Sequence, residues 1–249
     1  MKFKLVIIVC FLGLQNYHVV AQAFKKKQLT YKRVKKSYEE KKKFLQKLLQ
    51  DNNLKTSSLE LYIRLFKYEQ EVEVWAKNKS EKTFKKIKTY PFCSYSGDLG
   101  PKRTEGDLQV PEGFYHIRDF NPWSTFYLSL GVNYPNDSDQ KLGKKPLGGS
   151  IYIHGDCVTI GCVPITDDKI KELYLLAVEA KSRGQQKIPV DIFPFRMSKE
   201  NMDSFTEQED YQSHIVFWKS LQPRYQLFEK HKTLPSFGIN STGFYDVQK

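Results

Sequence analysis

Ile151-Tyr152-Ile153-His154-Gly155-Asp156-Cys157-Val158-Thr159-Ile160-Gly161-Cys162-Val163-Pro164-Ile165-Thr166 is the stretch around which the rest of the chain is read. Three apolar residues form a short strand that ends at His154-Gly155, and a loop leads to Gly161-Cys162. Thr166-Asp167-Asp168 then opens a helix, where short polar side chains can satisfy free backbone donors. A histidine at a strand end and a cysteine across a short loop suit thiol chemistry, in which the imidazole takes the thiol proton and the thiolate attacks a carbonyl. Gly161 has no side chain to keep a substrate away from the backbone, so free N–H groups at Gly161 and Cys162 could receive a developing oxyanion.

Outward from this stretch the pattern is that of a sheet. Leu59, Leu61, Ile63 and Leu65 alternate with polar residues, Lys67-Tyr68-Glu69-Gln70 breaks the run, and Val72, Val74 and Ala76 resume it, which predicts two strands joined by a turn. Residues 84–90, 113–117 and 125–132 are further strand candidates, and Ile188 to Phe193 closes the series. Between them, Ile170, Leu173, Tyr174 and Ala177 give the helix after Thr166 a buried face. Residues 203–232 read as helical with an interruption near Pro223, and their aromatic stripe is expected to pack on the sheet. The fold class is therefore α+β, a predominantly β core with N-terminal and C-terminal helical extensions.

Charge narrows the partners. The 249 residues carry 40 Lys and Arg against 28 Asp and Glu, but residues 1–58 hold 14 against 3 and residues 59–249 hold 26 against 25. A nearly neutral main body argues against nucleic acid, which needs a basic face on the folded domain. No run reaches the roughly 18–20 apolar residues of a bilayer-spanning helix. Met1–Ala23, with Lys2 and Lys4 before the apolar run Leu5 to Leu14 and small residues near Ala21 and Ala23, reads as a cleaved signal peptide, so the chain is expected to be exported to the periplasm or cell envelope. Residues 24–58 form a basic helical arm with only a weak apolar stripe at Leu45, Leu48 and Leu49, suited to peripheral contact with an anionic wall or membrane surface. Three cysteines remain after the signal, Cys93, Cys157 and Cys162, an odd number for an oxidising compartment.

His154-Gly155 followed by Thr159-Ile160-Gly161-Cys162 resembles the L,D-transpeptidase catalytic domain of bacterial cell-wall enzymes. Ser96-Gly97, Gly106-Asp107 and Pro111-Glu112-Gly113-Phe114-Tyr115 resemble upstream stations of the same family, and the likeness spans roughly residues 59–193. Two positions depart from its pattern: Pro164 stands where members usually carry Arg, and Ile160 where many carry a second His. The missing Arg, the loop Leu99-Gly100-Pro101-Lys102-Arg103 and the segments Phe126-Tyr127-Leu128-Ser129-Leu130 and Tyr134-Pro135-Asn136 resemble a divergent branch of the family. The domain limits that follow are 1–23 for the signal, 24–58 for the arm, 59–195 for the catalytic domain and 196–249 for the C-terminal helical extension.

The resemblance implies acyl transfer on peptidoglycan stem peptides without metal or cofactor. Cys162 is the nucleophile, His154 the base and later the acid, and a backbone carbonyl the group that orients the imidazole. Gly161, Thr159, Gly155 and Tyr152 line the site, and Lys102 and Arg103 are candidates for stem-peptide carboxylates. With Cys162 at the nucleophile, Cys93 and Cys157 are left either to pair or to stay free. Hydrolysis of the same bonds, as by an L,D-carboxypeptidase or amidase, is the alternative reaction, and a silent wall-binding module or an interaction protein built on the basic arm the alternative functions. His154, Cys157 and Cys162 could also hold zinc with a fourth ligand, although His-x2-Cys-x4-Cys is not a standard zinc spacing.

Overall fold

The computed structural model describes residues 23–248, so the signal-peptide reading of residues 1–23 lies almost wholly outside the described residues. None of the described helices is long and apolar enough to cross a membrane. The core is one eight-stranded mixed sheet. β1 (Leu59–Phe66) and β2 (Glu71–Asn78) form the expected hairpin, paired from Leu59 opposite Asn78 to Phe66 opposite Glu71, and β3 (Lys85–Pro91) extends it. β4 (Gly113–Asn121), β5 (Ser129–Val132), β6 (Tyr152–His154) and β7 (Val163–Pro164) form the other half, with the short helix α3 (Asp137–Leu142) between β5 and β6. β8 (Pro189–Phe193) joins the halves, parallel to β1 and antiparallel to β4, giving the order β3-β2-β1-β8-β4-β5-β6-β7.

Alternation in β1 led to one buried face, yet seven of its eight residues are buried. Leu59, Leu61, Ile63 and Leu65 pack in the main core with α4 (Asp167–Lys181), whose Ile170, Leu173, Tyr174 and Ala177 are fully covered. On the other face, Tyr62, Arg64 and Phe66 are covered by α6 (Ile215–His231). Arg64 is tolerated there because Glu73 accepts from its Nε and Nη2 at 3.1 and 2.6 Å, while the rings of Trp75 and Phe228 flank the guanidinium.

The termini differ from the sequence reading. Residues 23–29, here α1, and α2 (Lys32–Asp51) lie on the body, with Val34, Ser37, Leu45 and Leu49 buried and Lys41 bonded to Asp168 and Glu172 of α4. The expected break at Pro223 is absent: α6 continues through it. A proline in a helix interior costs about 3 kcal/mol, and burying side chains such as Phe217, Trp218, Leu221 and Phe228 contributes about 1.5–3 kcal/mol each. The interruption falls earlier, after α5 (Lys199–Thr206), at a 3-10 turn over Glu209–His214. Beyond α6 the chain is not helical but ends in the hairpin of β9 (Phe237–Ile239) and β10 (Tyr245–Val247), whose turn is fixed by the Asn240 side chain accepting from the N–H groups of Thr242 and Phe244.

Candidate active site

β6 and β7 run parallel, with Ile153 opposite Val163 and His154 opposite Pro164, which brings Cys162, one residue before β7, alongside Tyr152. His154 and Cys162 thus share a cavity of about 240 Å³. Its remaining walls are Tyr152, Ser150, Ser129 and the segment Asn121, Ser124, Thr125 and Phe126.

The loop between the two residues is held at several points. Gly155 donates to the carbonyls of Phe126 and Leu128, and a Cβ on it would lie 2.4 Å from Asp167 Oδ1, so no larger residue fits unless the loop shifts. The helix start works differently from expectation: the Thr166 side chain caps nothing, and Asp167 instead accepts from the N–H of Asp156 at 2.8 Å. Cys93 and Cys157 form a disulfide with Cα atoms 5.3 Å apart, while Cys162 stays a free thiol. That bond removes Cys157 from the alternative zinc set, and no metal-binding cluster is present among the described residues.

Two further expectations change. The N–H groups of Gly161 and Cys162 are not free, because both donate to Thr159 Oγ1, at 3.2 and 2.8 Å, and that hydroxyl donates to the Cys162 carbonyl at 2.8 Å. Thr159 therefore fixes the backbone at the cysteine, and an oxyanion could use these amides only by displacing its hydroxyl. Gly161, at φ +129°, leaves room for the Gln109 carbonyl, which would sit 3.1 Å from a Cβ. The missing side chain makes room for that carbonyl inside the protein.

Lys102 and Arg103 are outside the cavity walls. Lys102 is buried and donates to Asp107 and the Thr104 carbonyl, and Arg103 lies over the Phe217 ring, 3.6 Å from Asp139. Sequence reading missed Phe126, whose ring stacks on His154 with centroids 4.5 Å apart at 27°. Its only signal was the run Phe126-Tyr127-Leu128-Ser129-Leu130, a segment that resembles a divergent branch of the family but carries no role for the ring.

Electrostatics favour a neutral resting pair. Burial raises the Cys162 thiol above its ordinary value, countered in part by the Tyr152 backbone N–H and by the charge of Lys102. Burial also lowers His154, only partly offset by its bond to the Gly155 carbonyl. That bond, Nδ1 to Gly155 O at 2.5 Å, makes Nδ1 the donor and leaves Nε2 as the basic nitrogen. Nε2 is buried and has no hydrogen-bond partner among the described residues.

A buried imidazole and a free thiol line one cavity on a mixed sheet, and proteins of similar sequence name the class. Residues 61–192, more than half the chain, match the family described as the L,D-transpeptidase catalytic domain (YkuD), and the chain belongs to that family of peptidoglycan transpeptidases. It is 35% identical over 191 residues to the Escherichia coli (strain K12) protein named "Putative L,D-transpeptidase YafK", covering 76% of this chain and 74% of that one. Among solved structures it aligns with the helical cell shape determining protein Pgp2 of Campylobacter jejuni at 17% identity and a TM-score of 0.45, covering 79% and 80% of the two chains. Bdellovibrio bacteriovorus Bd1075 aligns at 21% identity and a TM-score of 0.40, covering 75% and 79%.

Proposed function

We propose that this protein is an exported cysteine acyltransferase that acts on peptidoglycan stem peptides in the cell envelope. The observation that carries the reading is the free Cys162 thiol in one cavity with His154, whose buried Nε2 has no partner. His154 Nε2 takes the thiol proton as Cys162 Sγ bonds to the carbonyl carbon at the L-centre of the third-residue diamino acid. The tetrahedral intermediate collapses, the C–N bond to the following residue breaks, and the imidazolium returns its proton to the leaving amine. The resulting thioester is attacked by an acceptor amine, giving a cross-link, or by water, giving a trimmed stem, with His154 again taking the proton.

The neutral resting pair fits this order, because the thiolate is needed only when substrate is present. The Tyr152 backbone N–H and the Lys102 charge lie where they favour the thiolate once it forms. Export is supported by the pattern of residues 1–23 and by the Cys93–Cys157 disulfide, a bond that persists in oxidising compartments.

Incubation of the mature protein and of Cys162→Ala with a mixed muropeptide digest, followed by mass spectrometry of protein and products, tests the reading. An adduct on Cys162 with new dimers shows transfer to an amine; an adduct with trimmed stems shows hydrolysis. Identical products from both proteins and no adduct would overturn the assignment in favour of a silent wall-binding module.

A further inference from the structure

We infer that Arg33, on α2, is a positioning residue for His154 and acts through the loop at residues 123–127. Its Nη1 donates to the Ser124 carbonyl at 2.6 Å and to the Tyr127 carbonyl at 2.7 Å, so one guanidinium grips the chain on both sides of Phe126. Phe126 stacks on the His154 ring, and its carbonyl accepts from Gly155, the residue whose own carbonyl orients His154 Nδ1. The imidazole has no other side-chain hydrogen bond among the described residues, so its plane is set by the Gly155 carbonyl and the Phe126 face.

The grip has something to resist. Tyr127 sits at φ +69°, a conformation that a bulky residue adopts only where its surroundings hold it. Arg33 and Lys171 lie over its ring at 5.7 and 5.2 Å, and Tyr31 packs edge-on against Trp123 at 4.4 Å. The N-terminal arm is thus a wall-bearing part of the site, and removing Arg33 frees the loop without emptying the buried positions Val34, Leu45 and Leu49.

The charged or titratable groups about His154 are Asp156, in its own loop, and Tyr152 and Cys162, which line the same cavity; Arg33 hydrogen-bonds to none of them. Arg33→Ala should let Phe126 move away and admit water to the imidazole, so its titration shifts up toward the ordinary histidine value.

The proposal rests on the acyltransferase reading only for its activity readout, so two measurements need no substrate: NMR titration of His154 and the pH dependence of Cys162 alkylation by iodoacetamide. The full chain would be compared with Arg33→Ala, Arg33→Lys, Phe126→Ala and the double variant. In Arg33→Ala and Phe126→Ala the His154 titration and the acid limb of alkylation should both move upward, with no further shift in the double variant. With muropeptides, kcat should fall roughly tenfold or more with KM little changed, since misplacing a catalytic group costs rate. Arg33→Lys should keep part of the wild-type behaviour, because one ammonium can donate to both carbonyls as Nη1 does, but from a more flexible stem. Unchanged titration and alkylation in folded Arg33→Ala, with Phe126→Ala shifted, would overturn the proposal. Should Arg33→Ala fail to fold, Arg33→Lys decides by the same readouts. Absence of muropeptide turnover in the wild type would fault the acyltransferase reading and leave the His154 result standing.

Discussion

Lys67 and His154 are both buried polar residues, and their surroundings could hardly be less alike. Lys67 Nζ donates to the carbonyls of Gly100 and Val110 and to Glu112 Oε1, at 2.6, 3.0 and 3.0 Å. Glu112 in turn accepts from the Gly100 N–H and the Trp218 indole, both at 2.8 Å. Every strong site is filled, as expected of a polar group buried to tie a loop to α6. His154 makes one ring hydrogen bond, stacks on Phe126 and keeps Nε2 empty. An open nitrogen in a buried wall adds nothing to stability, and it is what the proposed transfer of the Cys162 proton needs.

Breaking the open centre should abolish chemistry and spare the fold. Cys162→Ala is expected to lower turnover by at least about 10³-fold with little change in Tm; comparable turnover in the variant would remove the cysteine from the mechanism. His154→Gln should cost about 10²- to 10⁴-fold in turnover, again with a folded protein by circular dichroism. Breaking the filled centre should do the reverse. Glu112→Ala leaves Lys67 charged and unpaired in the interior, an expected loss of about 3–5 kcal/mol, read by urea unfolding; a loss below about 1 kcal/mol, the scale of exposed pairs, would mean the pair contributes little.

Acid should separate the two kinds of burial further. His154 is lowered by burial, so the unfolded chain binds its proton more readily, and this part of stability is lost as pH falls below 6.5. Burial alone would raise Glu73, but Arg64, Trp75 and Arg196 bring it down to about 2, so its contribution is present above the ordinary glutamate range and is lost only as pH falls toward 2. Urea midpoints between pH 7 and 3 should show His154→Gln relieving the upper decline only. The smallest effect belongs to the solvent pair Lys199–Asp203, where Lys199→Ala should leave the midpoint unchanged within error.

Much of the sheet was legible because alternation is a local signal. The β1–β2 hairpin, the strand ending at His154 and the helix face Ile170, Leu173, Tyr174 and Ala177 are all short-range patterns. What escaped depends on distant neighbours. Tyr62, Arg64 and Phe66 looked outward because α6, which covers them, lies some 150 residues further on. The same limit hid Phe126 beside His154, and Gln109 behind Gly161. Pro223 failed as a helix stop because packing outweighed propensity, and the short strands of the final hairpin carry too few residues to show a period.

The position of β8 has a consequence for how the molecule comes into being. Everything from β1 to β7 precedes it in the chain, yet among the described residues it is the one strand paired to both halves of the sheet, with Ile63 opposite Val190, 127 positions away. Contacts of such separation slow folding, because a long loop must close before they form. A chain shorter than about 190 residues would present β1 and β4 as two open edges, the kind of surface that pairs with neighbouring molecules and aggregates. Whether a nascent chain reaches its working form or sticks to its neighbours is thus decided by a late, five-residue strand that holds neither the thiol nor the imidazole.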